Sequence, residues 1–317
     1  MIEVKNLNVD FIVNNESVHV LNNVSLSIGK NEVVALIGET GCGKSVLGSA
    51  ILKILPENAV VNGSIKYEGR EMLALGEKEM QEIRGRKIAS VPQSPSTSLD
   101  PLMKVGSQVA ECISFGNVLS KAGKRNIARQ VMSAFKKLRL PREKDVYLSY
   151  PCELSGGMKQ RILISMGIVS NPDFLIVDEP TKAVDWPVRK EVISALKELK
   201  EDRNCSMLLI THDLGAAKVI ADKVAVMYCG EIVETGSTEE IFNNPKHPYT
   251  KGLIASAPSK GLNVMEGYMP SFSEDLPPCR FMPRCRYKES LCDRKEAVLS
   301  GGSHKVKCHK FCSAGGI

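Results

Sequence analysis

The sequence contains no hydrophobic run that approaches the roughly 20 apolar residues needed to cross a bilayer, which excludes a helical integral membrane protein. Its first residues, MIEVKNLNVDF, contain no basic segment followed by an apolar stretch, so we expect no signal peptide. Without export, the ten cysteines are expected in a reducing compartment, where they bind metals or remain thiols more often than they form disulfides. No internal repeat and no low-complexity tract is present.

The composition is that of a soluble globular protein, with 43% hydrophobic and 25% charged residues. A chain of 317 residues has room for one large domain with an appendage, or for two modest domains. The formal net charge is only +6. Such a mildly basic surface can bind nucleic acid but is usually no more than a solvated face.

Hydrophobic patterns predict an α/β protein. IEVKNLNVDFIV and HVLNNVSLSI alternate apolar and polar residues, which predicts antiparallel strands around the turn NNES, and GSIKYEG predicts an edge strand. EVVALIG, FLIVDEP, SMLLITHD and KVAVMY are short apolar runs that predict buried strands, and EIVETG follows a Cys-Gly turn. KSVLGSAILKILP has helical periodicity and is predicted to stop at Pro56. Strands that alternate with helices indicate a parallel sheet.

The chain is predicted to divide at about residue 258. Residues from about 77 to 170 are mostly helical in pattern, and we place a helical subdomain at about 94–170. Beyond NPKHPYTKGLIASAP the pattern dissolves into a Pro-, Cys- and Arg-rich extension, residues 259–317.

GETGCGKS fits the phosphate-loop pattern G-x-x-x-x-G-K-[ST] and lies between a predicted buried strand and a helix, as that motif requires. Its backbone N–H groups and the helix N-terminus would cradle a polyphosphate. Lys44 would reach the β- and γ-phosphates, and Ser45 would bind Mg²⁺. The predicted nucleotide-contacting residues of this segment are Gly38, Glu39, Thr40, Gly41, Cys42, Gly43, Lys44, Ser45 and Val46.

Polar residues follow three further predicted strands. Asp178 and Glu179 end FLIVDEP, where ligands bind at the carboxyl edge of a parallel sheet, so Asp178 would hold Mg²⁺ and Glu179 would polarise the attacking water. His212, after SMLLIT, would contact the γ-phosphate, and Gln93, after a short strand, would touch Mg²⁺ and the water. Taken singly, each of these has an ordinary structural alternative as a loop or core residue.

LSGGMKQR, residues 154–161, is the most discriminating segment. Ser155, Gly156 and Gly157 open a helix and so provide a second N-terminus suited to phosphate. One nucleotide needs only one phosphate cradle. The simplest hypothesis is that this helix contacts the γ-phosphate held by the phosphate loop of another subunit.

These segments, together with AVD (Ala183–Asp185), occur in the order seen in ATP-binding subunits of ABC transporters, which the chain resembles over roughly residues 1–258. The resemblance implies a P-loop fold with a parallel core sheet, an antiparallel β subdomain and a helical subdomain. It implies ATP and Mg²⁺ as cofactors, Glu179, His212 and Gln93 as catalytic residues, and a nucleotide contact by Asp185. It also implies an aromatic residue stacked on adenine, for which Phe11 is the best-placed candidate and His19 a weaker one.

PQSPSTSLDP, MYCGEIVETG, NNPKHPYTKGLIASAP and the tail are similar to the importer branch that serves oligopeptides, dipeptides and nickel. The resemblance implies a peripheral ATPase on the cytoplasmic face of the cell membrane, which energises peptide uptake. Its expected partners are a second ATPase subunit, more often a homologue than a copy, two membrane permeases and, indirectly, an extracellular binding protein. Two features depart from the family pattern: Lys159 replaces a usual arginine, and Trp186-Pro187 follows Asp185.

Three alternatives remain at this point. They are an ATPase of a nickel or metal-chelate importer, a soluble ABC ATPase that acts on DNA or ribosomes, and an unrelated P-loop kinase. The second alternative usually involves two cassettes or a coiled-coil insertion, neither of which is present, and LSGGMKQR opposes the third. We therefore expect no nucleic-acid partner.

The tail contains four cysteines in the spacing C-x₅-C-x₆-C-x₁₅-C, which is too loose for a zinc ribbon. Four thiolates can hold a [4Fe–4S] cluster, and some importer subunits of this type carry one in this extension. Cys279, Cys285, Cys292 and Cys308 are the predicted ligands, with zinc as the alternative metal. Arg280, Arg284 and Arg286 are expected to lower the pKa values of these thiols. Cys312 is predicted to be a spare thiol.

Overall fold

The structure of the protein, a computed structural model, describes residues 1–114, 120–182, 185–201, 205–257, 261, 265–272 and 276–311. The chain forms two compact units. The first unit combines Met1–Leu75 with Ile210–Ile317, and the second is Gly76–Leu209.

An antiparallel sheet in the first unit contains four strands in the order β2-β1-β4-β5. The hairpin of β1 and β2 turns at Asn14 and Asn15, whose φ angles of 51° and 65° suit the two-residue turn that matches strand twist. GSIKYEG is not an edge strand as predicted, because β4 pairs with β1 on one side and with the short β5 on the other. The strands are β1 (Ile2–Val13), β2 (Glu16–Ile28), β4 (Ala59–Tyr67) and β5 (Arg70–Glu71).

The buried strands of the first unit support the glycine-rich loop. Every residue of β3 (Val33–Ile37) is buried, and β3 pairs in parallel with β9 (Lys223–Tyr228). A Cys229–Gly230 turn, with φ angles of 44° and 80°, leads from β9 into the antiparallel strand β10 (Glu231–Ser237). These strands match the predicted runs, and the predicted Cys-Gly turn is present.

Four α-helices among the described residues belong to the first unit. The first of them ends earlier than predicted, because Leu52 caps it and Lys53 adopts a positive φ of 52° before Pro56 is reached. The four helices are α1 (Lys44–Ile51), α9 (Leu214–Ile220), α10 (Thr238–Asn243) and α11 (Pro248–Ala255).

The second unit is mainly helical and has its own core. In α5 the apolar residues Ile127, Val131, Ala134 and Phe135 recur at helical spacing and are all buried in that core. Two parallel strands, β6 and β7, belong to this unit, and β8 begins in it and ends in the first unit. The strands are β6 (Ile88–Val91), β7 (Phe174–Asp178) and β8 (Ser206–Thr211), and the helices are α2 (Glu77–Ile83), α3 (Pro95–Ser98), α4 (Val105–Ser114), α5 (Lys121–Lys137), α6 (Glu143–Leu148), α7 (Gly156–Ile168) and α8 (Trp186–Glu201).

The C-terminal segment is part of the first unit and contains short ordered elements, although its sequence pattern predicted none. Its strand β11 (Lys305–Val306) pairs antiparallel with β10, and short 3₁₀ turns cover 282–284, 290–293 and 309–311. The buried His304 ring lies 2.6 Å from the fully buried Glu234 carboxylate, and this pair joins the segment to β10. Among the described residues, no helix is long and apolar enough to span a membrane.

Burial of His247 predicts a loss of stability in acid. Burial lowers the pKa of His247 from its usual 6.5 to about 3. The unfolded chain therefore binds more protons than the folded chain between these values, and the free energy of unfolding should fall as the pH drops from 6.5 toward 3, by up to about 1.4 kcal/mol per pH unit. Urea unfolding at pH 7, 6 and 5 measures this slope.

The variant His247→Asn keeps a good cap residue at the start of α11 and does not titrate. We expect a shallower slope for it, whereas His309→Asn, at a histidine whose hydrogen bond is exposed, should keep the original slope. An unchanged slope in His247→Asn would show that another group causes the acid sensitivity.

Candidate nucleotide-binding site

Glycines are required in the loop after β3 for two reasons: a side chain would clash with neighbouring atoms, and the backbone adopts positive φ angles. A Cβ on Gly38 would lie 2.2 Å from the Met227 carbonyl oxygen, and one on Gly43 would lie 2.8 Å from Leu21. Gly41 and Gly43 also adopt φ angles of 84° and 104°, which side chains rarely allow. The loop therefore has the tight curvature that a phosphate cradle needs.

Lys44 lies at the start of α1 with its side chain folded against the loop. Its ammonium donates to the carbonyl oxygens of Gly38 and Glu39, both at 2.9 Å, and the residue is only 6% exposed. A third, weak contact reaches the Cys42 sulfur at 3.7 Å, which a phosphate oxygen can replace. The first turn of α1 contains no acidic residue, and Ser45 there is exposed. This helix N-terminus suits an anion.

Glu39 makes contacts that the sequence did not predict. Its carboxylate oxygens accept hydrogen bonds from Arg284 Nη1 at 2.9 and 3.1 Å. Its backbone N–H donates to the Tyr249 hydroxyl at 3.0 Å. No local pattern marks either partner, because each lies more than 200 residues away in the chain.

The two aromatic candidates for adenine lie on the antiparallel sheet. Phe11 is half-buried on β1, opposite Val18 of β2 and Ala59 of β4. His19 is exposed, and its Nδ1 lies 2.5 Å from the Asp10 carboxylate. Because this contact already engages the ring of His19, Phe11 remains the better candidate.

His212 follows β8 directly and is exposed. The next residue, Asp213, caps α9 by accepting the Ala216 N–H at 3.0 Å, and its own N–H donates to Thr211. These bonds fix the backbone on both sides of His212. The histidine therefore stands at a strand end, as predicted.

The second unit contains the two carboxylates. Asp178 is the last residue of β7 and is half-buried, while Glu179 is 6% exposed. Glu179 adopts a φ of 49°, a left-handed conformation that glutamate rarely occupies. Backbone strain of this kind is often found at functional positions, and this one was not predicted from the sequence. Gln93 is half-buried in the loop between β6 and α3.

The helix predicted from LSGGMKQR is α7. Ser155 caps it by accepting the Met158 N–H at 3.3 Å. Gly156 is exposed with open space around it, whereas a Cβ on Gly157 would lie 2.4 Å from Val188. The helix N-terminus is therefore accessible at Gly156 and packed tightly at Gly157.

The helix α8 begins directly after Asp185, whose carbonyl accepts the Arg189 N–H at 2.9 Å, and Pro187 lies in its first turn. The Lys190 ammonium lies 3.6 Å from the centre of the exposed Trp186 ring. Ala183 and Val184 of the predicted AVD segment lie outside the described residues.

Comparisons with known proteins agree with this geometry. Residues 21–182 match the sequence model of the ABC transporter family, and residues 233–292 match that of the oligopeptide/dipeptide transporter C-terminal region. The chain belongs to the ABC transporter ATPase family. It is an ATP hydrolase of the ABC type.

Individual relatives extend the match to 97% of this ABC ATPase chain. The dipeptide transport ATP-binding protein DppD of Bacillus subtilis is 37% identical, with 97% of this chain and 94% of the relative covered. The oligopeptide transport ATP-binding protein OppD of the same organism is 40% identical, with coverage of 82% and 72%. The dimeric structure of MJ0796, a bacterial ABC transporter cassette, matches with a TM-score of 0.67 and 25% identity, over 75% of this chain and 99% of that one. The predicted P-loop fold with mixed α/β sheets is confirmed.

The four tail cysteines predicted to bind a metal line one small cavity, of about 20 Å³, which we call the cysteine cavity. Yet within the part of the chain that the structure describes, no group of three or more Cys, His, Asp or Glu side chains is arranged to hold a metal ion. None of the nine described cysteines is in a disulfide, which opposes a disulfide staple, and Cys312 lies outside the described residues. The sulfur atoms that were predicted to bind a metal thus line the same cavity, but their arrangement does not support a metal site.

The prediction that the arginines lower the thiol pKa values is wrong for two of these cysteines. Burial raises the pKa of Cys279 to about 11, and burial also raises the pKa of Cys285. The arginines bind elsewhere: Arg280 to Glu231 and the Cys229 carbonyl, Arg284 to Glu39, and Arg286 to Glu266.

Proposed function

We propose that this chain is the ATP-hydrolysing subunit of an ABC importer for oligopeptides or dipeptides. The observation that carries the proposal is the presence in one chain of an ABC transporter region and an oligopeptide/dipeptide transporter C-terminal region. Relatives that are named as dipeptide and oligopeptide transport ATP-binding proteins support the same substrate class. We place the ATPase domain at residues 1–258 and the extension at 259–317.

In this proposal the first unit binds the nucleotide. Residues 38–46 wrap the phosphates, with the Lys44 ammonium on the β- and γ-phosphates and the N-terminus of α1 contributing its dipole. Phe11 stacks on adenine. The support is local geometry: glycines that permit the loop, and a lysine already held at it.

Mg²⁺ fits the donors available, since Ser45, Asp178 and Gln93 offer hydroxyl, carboxylate and amide oxygens, which are the ligands this ion prefers. The ion would neutralise phosphate charge. Glu179 accepts a proton from the attacking water, His212 contacts the γ-phosphate, and Gln93 orients the water. The strand-end positions of Glu179 and His212 support these roles.

A second ATPase subunit completes each site. Ser155, Gly156, Gly157 and Asp185 contact the nucleotide bound by the partner, and the accessible N-terminus of α7 at Gly156 supports this. The dimeric structure of the ABC transporter cassette MJ0796 supports pairing of this kind. We propose a heterodimer on the cytoplasmic face of the membrane, bound to two permeases that receive peptide from an extracellular binding protein.

Purification of the intact complex from its native cells, followed by identification of its subunits, tests this proposal. We expect a second ABC ATPase, two permeases and a peptide on the associated binding protein. Nickel or a metal chelate in place of peptide would overturn the substrate class. Co-purification with nucleic acid at physiological salt, without permeases, would overturn the transporter role.

The predicted [4Fe–4S] or zinc cofactor remains a prediction. Its support is the position of Cys279, Cys285, Cys292 and Cys308 around one cavity, and the lack of a metal-binding arrangement among the described residues opposes it. Iron and zinc analysis of the same complex, purified anaerobically, decides the matter. A colourless, metal-free preparation would remove the cofactor.

A further inference from the structure

The C-terminal extension reaches the phosphate loop through Arg284. The side chain of this arginine is only 6% exposed, and its guanidinium bonds both carboxylate oxygens of Glu39. Its Nε–H donates to the Glu266 carbonyl at 3.2 Å. Arg284 is thus held on two sides, by the loop and by a segment preceding the cysteines.

An aromatic cluster fixes the position of that guanidinium. Tyr228 and Tyr249 are fully buried with ring centres 4.6 Å apart, and the Phe281 ring packs against both, at 5.2 and 5.5 Å. The Arg284 guanidinium carbon lies 5.7 Å from the Tyr228 ring centre and 6.0 Å from that of Phe281. Rigid, buried neighbours of this kind restrict the rotamers of the arginine.

Glu39 is consequently held through three groups, which are its carboxylate, its backbone N–H and its backbone carbonyl. Arg284 binds its carboxylate, Tyr249 accepts its N–H, and Lys44 donates to its carbonyl at 2.9 Å. The last contact places the backbone of Glu39 beside the ammonium that would bind phosphate. A carboxylate on this residue of the loop would repel a polyphosphate unless its charge were compensated and its direction fixed.

We propose that Arg284 is a positioning residue for nucleotide binding, which acts by compensating the Glu39 carboxylate and holding it away from the phosphates. The C-terminal extension thereby sets the affinity of the phosphate loop for ATP. The inference depends on the proposed nucleotide site in residues 38–46. It assigns a role to the extension that needs no metal in the cysteine cavity.

The test is ATP affinity of the full-length protein with Mg²⁺, measured by calorimetry for the wild type, Arg284→Met, Glu39→Gln and the double variant. Arg284→Met should raise the Kd by about 5- to 10-fold, because it leaves a carboxylate charge near the phosphates. In the Glu39→Gln background the same change should raise the Kd by less than about 2-fold, since no charge remains to be compensated. The increase caused by Arg284→Met alone should also shrink in 0.5 M salt, where the Debye length is only about 4 to 5 Å.

Arg286→Met is the matched control, because Arg286 is 75% exposed and pairs only with the exposed Glu266 carboxylate at 3.4 Å in the described structure. It should leave the Kd unchanged. If Arg284→Met does not fold, Arg284→Lys serves in its place: lysine keeps the charge but lacks the Nε–H bound to Glu266, and it should give a smaller rise that also disappears with Glu39→Gln.

An unchanged Kd in the Arg284 variants would overturn the inference. An equal rise with and without the Glu39 carboxylate would do so too, because it would make Arg284 a support for the fold alone. A wild-type protein that does not bind ATP would instead overturn the proposed nucleotide site.

Discussion

Glu179→Gln should lower the rate of ATP hydrolysis by about 100-fold or more while ATP affinity stays within about 3-fold of wild type. Glutamine has nearly the same shape, but it cannot accept a proton from water. The backbone at Glu179 already has a φ of 49°, and both side chains bear the same cost of that conformation, so the variant should fold normally. Phosphate release and ATP titration on the same preparation measure the two quantities.

The exposed Glu111 of α4 offers the matched control, because Glu111→Gln removes the same charge elsewhere and should hydrolyse ATP normally. The Glu179 variant should also accumulate as a closed dimer with ATP, visible by size-exclusion chromatography with the partner subunit. Hydrolysis at the wild-type rate by Glu179→Gln would show that another group accepts the proton.

Lys44→Ala should weaken ATP binding itself by about 100-fold, because a charged donor to phosphate contributes about 1.5–3 kcal/mol and the loop loses its internal support as well. The ammonium holds two loop carbonyls at 2.9 Å, and alanine leaves both without this donor. Equilibrium titration with ATP gives the affinity, and thermal unfolding gives the cost to stability.

Lys78→Ala removes an exposed lysine from α2 and should change neither quantity. If Lys44 binds the phosphates, Lys44→Ala should lose ATP affinity even at temperatures where thermal unfolding shows that the variant is fully folded. Wild-type affinity in folded Lys44→Ala would contradict the assignment of residues 38–46 to the phosphates.

The sequence predicted the local parts of this molecule well, because they follow from short-range rules. Buried strands such as Val33–Ile37 appear as apolar runs, and the glycines of GETGCGKS appear at the spacing that the loop requires. The capping of α7 by Ser155 also depends on neighbouring residues, and the hydrogen bond that Ser155 accepts from the Met158 N–H confirms it. Each of these features depends on residues within a few positions of one another.

Features that depend on distant residues were missed. The Arg284–Glu39 pair joins positions 245 residues apart, and periodicity carries no information about such a contact. The arginines near the cysteines were assigned to the thiols by proximity in sequence, whereas carboxylates and a backbone carbonyl elsewhere bind them. The strand at Lys305–Val306 is too short to produce a pattern, and its pairing with β10 supplies its structure.

ATP-driven peptide uptake by the reconstituted complex tests the central claim most directly. The complex of this chain with its partner ATPase, permeases and binding protein is placed in liposomes, with ATP on the side of the ATPases and a labelled peptide on the other. We expect accumulation of peptide that requires ATP and that stops when Glu179→Gln replaces the wild-type chain. ATP hydrolysis without any peptide accumulation, or accumulation that persists with Glu179→Gln, would contradict the proposed role.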